Sequence, residues 1–257
     1  MSFKLIRTLA LCLVTLASST ALPHPQQNFG SGTPAAATNL FKRMPDEVQP
    51  LIAALGERAS QPGREHTTLA GRWTEAGGNS FAARVSLQLP ASVGLQNFRA
   101  GQGELRFESA STPSAMDPDD AMILETWVTD TVEGMFDSLR NGATLLVMGR
   151  NVQPSGMAET DSALRYDVFA VTDSVRTRRD GPVRTKFYCF DSRTALLERT
   201  TYQDGNRDIE VRFSGWTERD GSAYPGRIAR YGNGQLVFSF VVDNVTAGPA
   251  IAPAAFR

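Results

Sequence analysis

Over much of the chain apolar and polar positions alternate with period two, the mark of strands with one wet face. The pattern is strongest in roughly the last ninety residues. Strand-like runs fall at 165–175, 183–190, 195–202, 208–216, 223–231 and 235–245, separated by "RRDGP", "DSRT", "QDGN", "ERDGS" and "GNG". Asp-Gly and Asn-Gly suit tight hairpins because both central residues take positive φ. Loops this short force successive strands to be antiparallel neighbours, so the pattern predicts a six-stranded meander.

Its faces are unequal. Ile209, Val211 and Phe213 alternate with Glu210, Arg212 and Ser214, giving one apolar and one solvated side. In the last run Leu236, Phe238, Phe240 and Val242 fill one face, and Val237, Val241 and Val245 partly fill the other. Tyr188 and Phe190 oppose Phe187 and Cys189 in the same two-sided way. Upstream, "TTLAGRWTEAGGNSFAARVSLQLP" reads as two strands joined at Ala76-Gly77-Gly78-Asn79 and ended by Pro90. Further strands are predicted over 104–108 and at "ATLLVMG".

Helical spacing occurs in two places. Over 117–139, Leu124, Trp127, Val128, Val132, Met135, Phe136 and Leu139 form one stripe, and Glu125, Thr129, Glu133 and Asp137 fall opposite. Asp117 is its N-cap, Pro118 its first helical residue, and Asn141-Gly142 its stop. A shorter helix is predicted over 46–58, where Val48, Leu51, Ile52 and Leu55 share a face and Pro50 marks a late start or kink. Two helices cannot cover one face of nine or ten strands, and a sheet that wide curls. The expected fold is therefore mainly β (α+β): a curved antiparallel sheet forming an unclosed barrel, with helices covering its mouth.

The N-terminus changes the picture. "MSFKLIRTLALCLVTLASSTALPHP" has a basic start at Lys4 and Arg7, an apolar run over 8–17, and small residues at Ser19-Thr20-Ala21. These are the parts of a secretory signal, and the run is too short to span a bilayer. Cys12 follows Leu11 inside the apolar run, which argues against lipidation there. The predicted organisation is a signal peptide over 1–21, a disordered lead over 22–40 rich in Pro, Gly, Ser and Ala, and one domain over 41–257.

Removing Lys4 and Arg7 from 26 basic residues leaves 24 against 27 acidic ones, a net charge of −3. Such a chain has no electrostatic footprint for nucleic acid. Cys189 is then the one remaining cysteine, which excludes an internal disulfide framework and a thiolate zinc cluster. His24 lies in the disordered lead, so His66 alone cannot build a His-rich metal site and is the single histidine base a hydrolase could use. Neither metal nor cofactor is expected, and no catalysis. The acidic run at Asp117, Asp119 and Asp120 reads as a helix start rather than a cation site. Arg176, Arg178, Arg179, Arg184 and Lys186 gather on one hairpin and read as a solvated turn, the sharper alternative being contact with anionic headgroups or a partner.

The run "FYCFDSRTALLERTTYQDGNRDIEVRFSGWTERDGSAYPGRIARYGNGQLVFSFVVDNV" resembles the C-terminal half of LolA/LolB-like proteins. The likeness lies in an aromatic strand, then "FDSRTALLER", then "VRFSGWTERDGSAYPGRI", then a strand ending near a final Phe. It extends more weakly upstream through "LAGRW" and "ARVSLQLP" to the 117–139 segment, which resembles the lid of those proteins. The resemblance implies an unclosed antiparallel barrel with helices across its mouth. It also implies a periplasmic role in carrying lipoproteins between bacterial membranes, or in sensing lipids and lipoproteins. One feature departs from it: carriers place an arginine beside the proline of the early strand to lock the lid, whereas Pro90 here is flanked by Leu89 and followed by Val93.

Together these readings predict a periplasmic monomer that binds a lipid or a lipoprotein acyl chain under the 117–139 helix. The expected lining is Ile209, Val211, Phe213, Phe238 and Phe240 from the sheet, with Trp127, Phe136 and Leu139 from the helix. The alternative is a sensor or envelope-assembly module of the same fold whose sheet packs shut and whose surface meets an envelope protein.

Overall fold

The computed structural model describes residues 65–88, 92–97, 104–108, 126–127, 129–140, 142–153, 164–173, 183–219 and 222–251, with 92–97 and 104–108 described by backbone alone. The signal segment, the 46–58 helix, the first part of the 117–139 helix, and Arg176, Arg178 and Arg179 lie outside the described residues.

The described chain is built on one antiparallel sheet. Its strands are β1 (His66–Glu75), β2 (Ser80–Gln88), β3 (Ser92–Asn97), β4 (Glu104–Glu108), β5 (Thr144–Val152), β6 (Tyr166–Thr172), β7 (Thr185–Asp191), β8 (Leu197–Asp204), β9 (Arg207–Ser214), β12 (Arg227–Gly232) and β13 (Gln235–Gly248), with β10 (Thr217–Arg219) and β11 (Ser222–Tyr224) set apart as a small hairpin. The order across the sheet is β4-β3-β2-β1-β13-β12-β9-β8-β7-β6-β5, with β4 and β5 at its edges among the described residues. The barrel is not closed.

The predicted meander is present as β6, β7, β8, β9, β12 and β13, each hydrogen-bonded to the next. Local turn chemistry accounts for it. Gly205 and Gly234 take positive φ in "QDGN" and "GNG". Asp191 Oδ1 accepts from the Arg193 and Thr194 N–H groups (2.7 and 2.9 Å), folding "DSRT" into a tight turn. Two things differ from expectation. β3 is an additional strand beyond Pro90, and the run predicted over 223–231 divides at Pro225-Gly226.

That division is made by two glycines. Gly226 N–H donates to the Gly215 carbonyl (3.1 Å), and a Cβ on Gly226 would stand 2.5 Å from the same oxygen. Between them lie β10 and β11, which pair with each other apart from the main sheet and are here called the flap. A second close approach lies in mid-sheet, where the first described strand meets the last. β13 returns to pair with β1 through a bulge at Ala70/Gly71, where a Cβ on Gly71 would sit 1.9 Å from the Val241 carbonyl. Only glycine fits there.

The predicted 117–139 helix is interrupted. Helical backbone at Thr126, Trp127 and Thr129 stops at Asp130–Thr131 and restarts as α1 (Val132–Arg140). Thr131 is the new N-cap: its Oγ1 accepts from Gly134 N–H (3.1 Å) and donates to the Trp127 carbonyl (3.1 Å). The expected stop holds, with Gly142 at φ 93° and its N–H donating to the Leu139 carbonyl (3.1 Å).

Candidate functional site

The helical segment lies in the hollow of the sheet. Trp127, Met135, Phe136 and Leu139 are buried in one cluster with Trp73, Phe169, Tyr188, Phe190, Phe213, Ile228, Phe238 and Phe240. Trp73 stacks on Phe238 with ring centroids 4.2 Å apart, and Trp127 meets Phe240 edge-on at 6.0 Å. The inward face of β9 is Ile209, Val211 and Phe213, all buried, as its alternation predicts.

Between helix and sheet lies a buried polar knot centred on Asp130. Its Oδ1 is 2.6 Å from Lys186 Nζ on β7, and its Oδ2 is 3.0 Å from Arg230 Nη1 on β12. Tyr202 OH on β8 donates to Oδ2 (3.2 Å), and Thr200 Oγ1 donates to the Asp130 carbonyl (2.8 Å). Lys186 also donates to Thr129 Oγ1, Tyr188 OH to the Thr129 carbonyl, and Arg230 Nη1 to Thr126 Oγ1 (2.7 Å). Lys186 Nζ stands 4.2 Å from the Tyr202 ring centroid. β7 and β12 are three strands apart in the sheet order, about 14 Å if the sheet were flat. Two long side chains reach across this gap to one carboxylate. This knot, and not an arginine beside Pro90, fastens the helical segment to the hollow.

The knot corrects the reading of the basic hairpin. Lys186 is 1% exposed and belongs to the interior, since its side chain falls on the same inward row as Tyr188 and Phe190. Arg184 is part-buried and paired with Asp204 Oδ1. Neither is a residue of a solvated turn.

Where the first turn of α1 meets the rim of the sheet, a cavity of about 100 Å³ remains. That is of the order of the roughly 150 Å³ apolar space that holds a benzene-sized ligand. Its wall includes Leu69 and Leu87 from β1 and β2, Phe213 and Ile228 from β9 and β12, and Leu197 beyond the "DSRT" turn. The flap and its two ends supply Trp216, Tyr224 and Pro225; the helical segment supplies Trp127, Thr131, Val132 and Glu133. Trp216 packs against Phe213 at 6.5 Å, which ties the flap to the sheet.

Two features of this wall stand out chemically. The indole N–H groups of Trp127 and Trp216, two of its residues, are buried without a hydrogen-bond acceptor among the described residues, a condition that costs about 1–3 kcal/mol each. The described lining also carries two carboxyl groups, Glu65 and Glu133, and no Lys, Arg or His. Burial pushes the Glu133 carboxyl above its ordinary range, opposed by hydrogen bonds from its own backbone and from Thr131. Among the described residues no group of His, Cys, Asp and Glu is arranged to hold a metal.

Of the eight residues expected to line a ligand, Trp127 and Phe213 border the cavity. Ile209, Val211, Phe238, Phe240, Phe136 and Leu139 are buried in packed core. The sequence reading passed over Trp216, Tyr224 and Glu133, which do border it. Glu133 was assigned to the solvated side of one long helix, but the restart at Thr131 puts it in the first turn at the cavity. Trp216 and Tyr224 bracket an Asp-Gly turn and read as strand ends. The signal that could have separated them is the Gly215/Gly226 pair, where two glycines flank a short excursion.

No family model matches the sequence, and no curated protein matches it significantly. Solved structures do. The chain is similar to a LolA superfamily protein from Nitrosomonas europaea, with TM-score 0.51 and 10% identity over 82% of this chain and 97% of that one. It is similar also to a DUF1329 family protein from Desulfovibrio piger, with TM-score 0.50 and 12% identity over 86% of this chain and 96% of that one. Divergent in sequence but matched along almost the whole of both partners, the chain has the LolA-like fold that its strand and turn order resembled.

Proposed function

We propose that this protein is an exported, periplasmic carrier that binds an apolar ligand, a lipid or a lipoprotein acyl chain, without catalysis. The observation that supports the reading best is the cavity between the start of α1 and the rim of the unclosed sheet, walled by leucines and aromatics. Each methylene buried there contributes about 0.8 kcal/mol. The space takes the end of an acyl chain while α1 is seated. A longer chain enters as α1 lifts and Phe136 and Leu139 leave the core, which makes α1 the lid and the Asp130 knot its latch. No described helix is long and apolar enough to cross a membrane.

A second reading is favoured by how much of the hollow is filled: six of the eight expected lining residues are packed core. In that reading the same fold serves as a sensor or envelope-assembly module that meets a protein partner. Purification under native conditions, organic extraction and mass spectrometry separate the two. A carrier yields close to one equivalent of lipid and, once emptied, takes up the neutral dye N-phenyl-1-naphthylamine. An extract without lipid and no dye uptake would rule the carrier out and leave the module.

A further inference from the structure

We propose that the outward face of the sheet over β2, β1, β13 and β12 is a docking surface for an anionic bilayer, which it meets through Arg72, Arg84, Arg219 and Arg227. The inference is independent of what fills the cavity. Register sets the arrangement. Arg72 on β1 and Arg227 on β12 both lie opposite Val241 on β13, so the three form one row, with the two arginines about 10 Å apart across two strand spacings. Arg84 on β2 is opposite Ala70, one outward position along from Arg72. These four side chains point away from the core, because their sequence neighbours Trp73, Val85, Ile228 and Phe240 are buried in it. Arg219 joins them from the flap: its Nη1 donates to Asn244 Oδ1 (2.9 Å), and Asn244 is opposite Ala70 as well.

The charge balance of this face points to an anionic partner. All four arginines are exposed, and Val241 between Arg72 and Arg227 is 42% exposed. Among the described residues no ion pair engages Arg72 or Arg227. The exposed carboxylates on these strands and on β10 are Asp243, at the β13 bulge, and Glu218, so four positive charges stand against two negative ones. Glu75 falls on the inward row, opposite Phe238. On the next strand Arg212 is engaged by Glu210 (2.9 and 3.0 Å) and adds no open charge. The outward residues around the row, Ala70, Thr74, Ala82, Ala229 and Ser239, are all short, so the guanidinium groups stand above them. Guanidinium forks spread over four strands match a plane of phosphodiesters. The face also abuts the flap: Val242 N–H, next to Val241, donates to the carbonyl of Gly226, next to Arg227 (2.8 Å). Docking therefore brings the flap, and the cavity it borders, to the bilayer.

The test is co-flotation of the purified protein with vesicles of phosphatidylcholine alone, or of phosphatidylcholine with phosphatidylglycerol at about seven to three. The protein is expected to bind the anionic vesicles and not the neutral ones, and raising NaCl from about 0.05 to about 0.5 M should release it. Arg72→Gln and Arg227→Gln should each weaken binding about fivefold, and the double variant on the order of twentyfold. Both positions are exposed, so the urea midpoints should not move. Arg207→Gln is the control, an exposed arginine at the end of β9 away from the flap, and it should change binding less than twofold. Equal binding to both vesicles, or an equal loss in Arg207→Gln, overturns the inference. Anionic binding that both Arg72→Gln and Arg227→Gln retain in full overturns it too, by placing the contact on another face. Competition by inorganic phosphate at constant ionic strength overturns it in favour of a single-anion site. Equally tight, arginine-dependent capture of soluble poly-glutamate overturns it in favour of an acidic protein partner. Dye uptake by a protein that fails to dock leaves the carrier reading standing and removes this inference alone.

Discussion

At the scale of single residues the molecule turns on Asp130. Its carboxylate is buried and shared by Lys186 and Arg230, and its backbone carbonyl is held by Thr200. Removing one member of a buried ion cluster strands the rest in low dielectric, at a cost of about 3–5 kcal/mol. Asp130→Asn is therefore expected to lower unfolding stability by that amount in urea titrations, a large share of the roughly 5–15 kcal/mol typical of a domain. Adding Lys186→Met should recover part of the loss, because one cation leaves with the carboxylate. A single-variant loss below about 1 kcal/mol would match a surface pair and dismiss the latch. Glu133 gives a second residue-scale test. Its folded pKa is raised above the ordinary 4.5, so the folded state holds the proton more tightly than the unfolded one. The stability this contributes is fully present below about 4.5 and is lost as pH rises through the raised folded value. Glu198, raised by burial and then by the charge of Asp191, slopes the same way. Glu133→Gln should flatten the Glu133 share of the decline; an unchanged pH profile would refute it. Neither residue's role was legible in the sequence. An aspartate within a helical pattern reads as solvated, and the partner that makes Asp130 internal lies 56 residues further along the chain.

Elements were legible where the physics is local. Period-two alternation and Asp-Gly or Asn-Gly turns placed the six strands of the meander, and Asn141-Gly142 ended the helix where expected. What could not be read were features set by distant partners: the return of β13 to β1, the break at Asp130–Thr131, and the separation of the β10–β11 flap from the main sheet. The flap depends on Gly226, whose missing side chain lets its backbone lie against the Gly215 carbonyl. Gly226→Ala should push β9 and β12 apart at this point and destabilise the protein by about 1–3 kcal/mol, the usual range for overpacking. The same variant should release Trp216 from Phe213, seen as a red shift and greater quenching of one of three tryptophans by acrylamide. Gly77→Ala is the control, since a Cβ there meets nothing within 4 Å. Equal behaviour of the two variants would show that the flap does not hang on this contact.

For the whole molecule the question is whether the helical segment can leave the hollow while the sheet persists. The sheet is held by continuous backbone ladders from β4 to β5, none of which runs through α1. The segment from Thr126 to α1, by contrast, is held by one polar knot and by the stripe of Trp127, Met135, Phe136 and Leu139. A carrier needs these two parts to open with different free energies; a module packed shut does not. Native-state hydrogen exchange reads the difference directly. Amides of α1 are expected to exchange through a partial opening that lies several kcal/mol below global unfolding, whereas those of β8 and β9 exchange only globally. Asp130→Asn should lower the α1 opening by about 3–5 kcal/mol. Because the knot is lost in both reactions, the β8 and β9 amides should lose a similar amount, and the gap between the two classes should persist. If α1 and β9 exchange together in both proteins, helix and sheet form a single cooperative unit. Ligand would then have no route past Phe136 and Leu139, and the packed interior would act as a finished core.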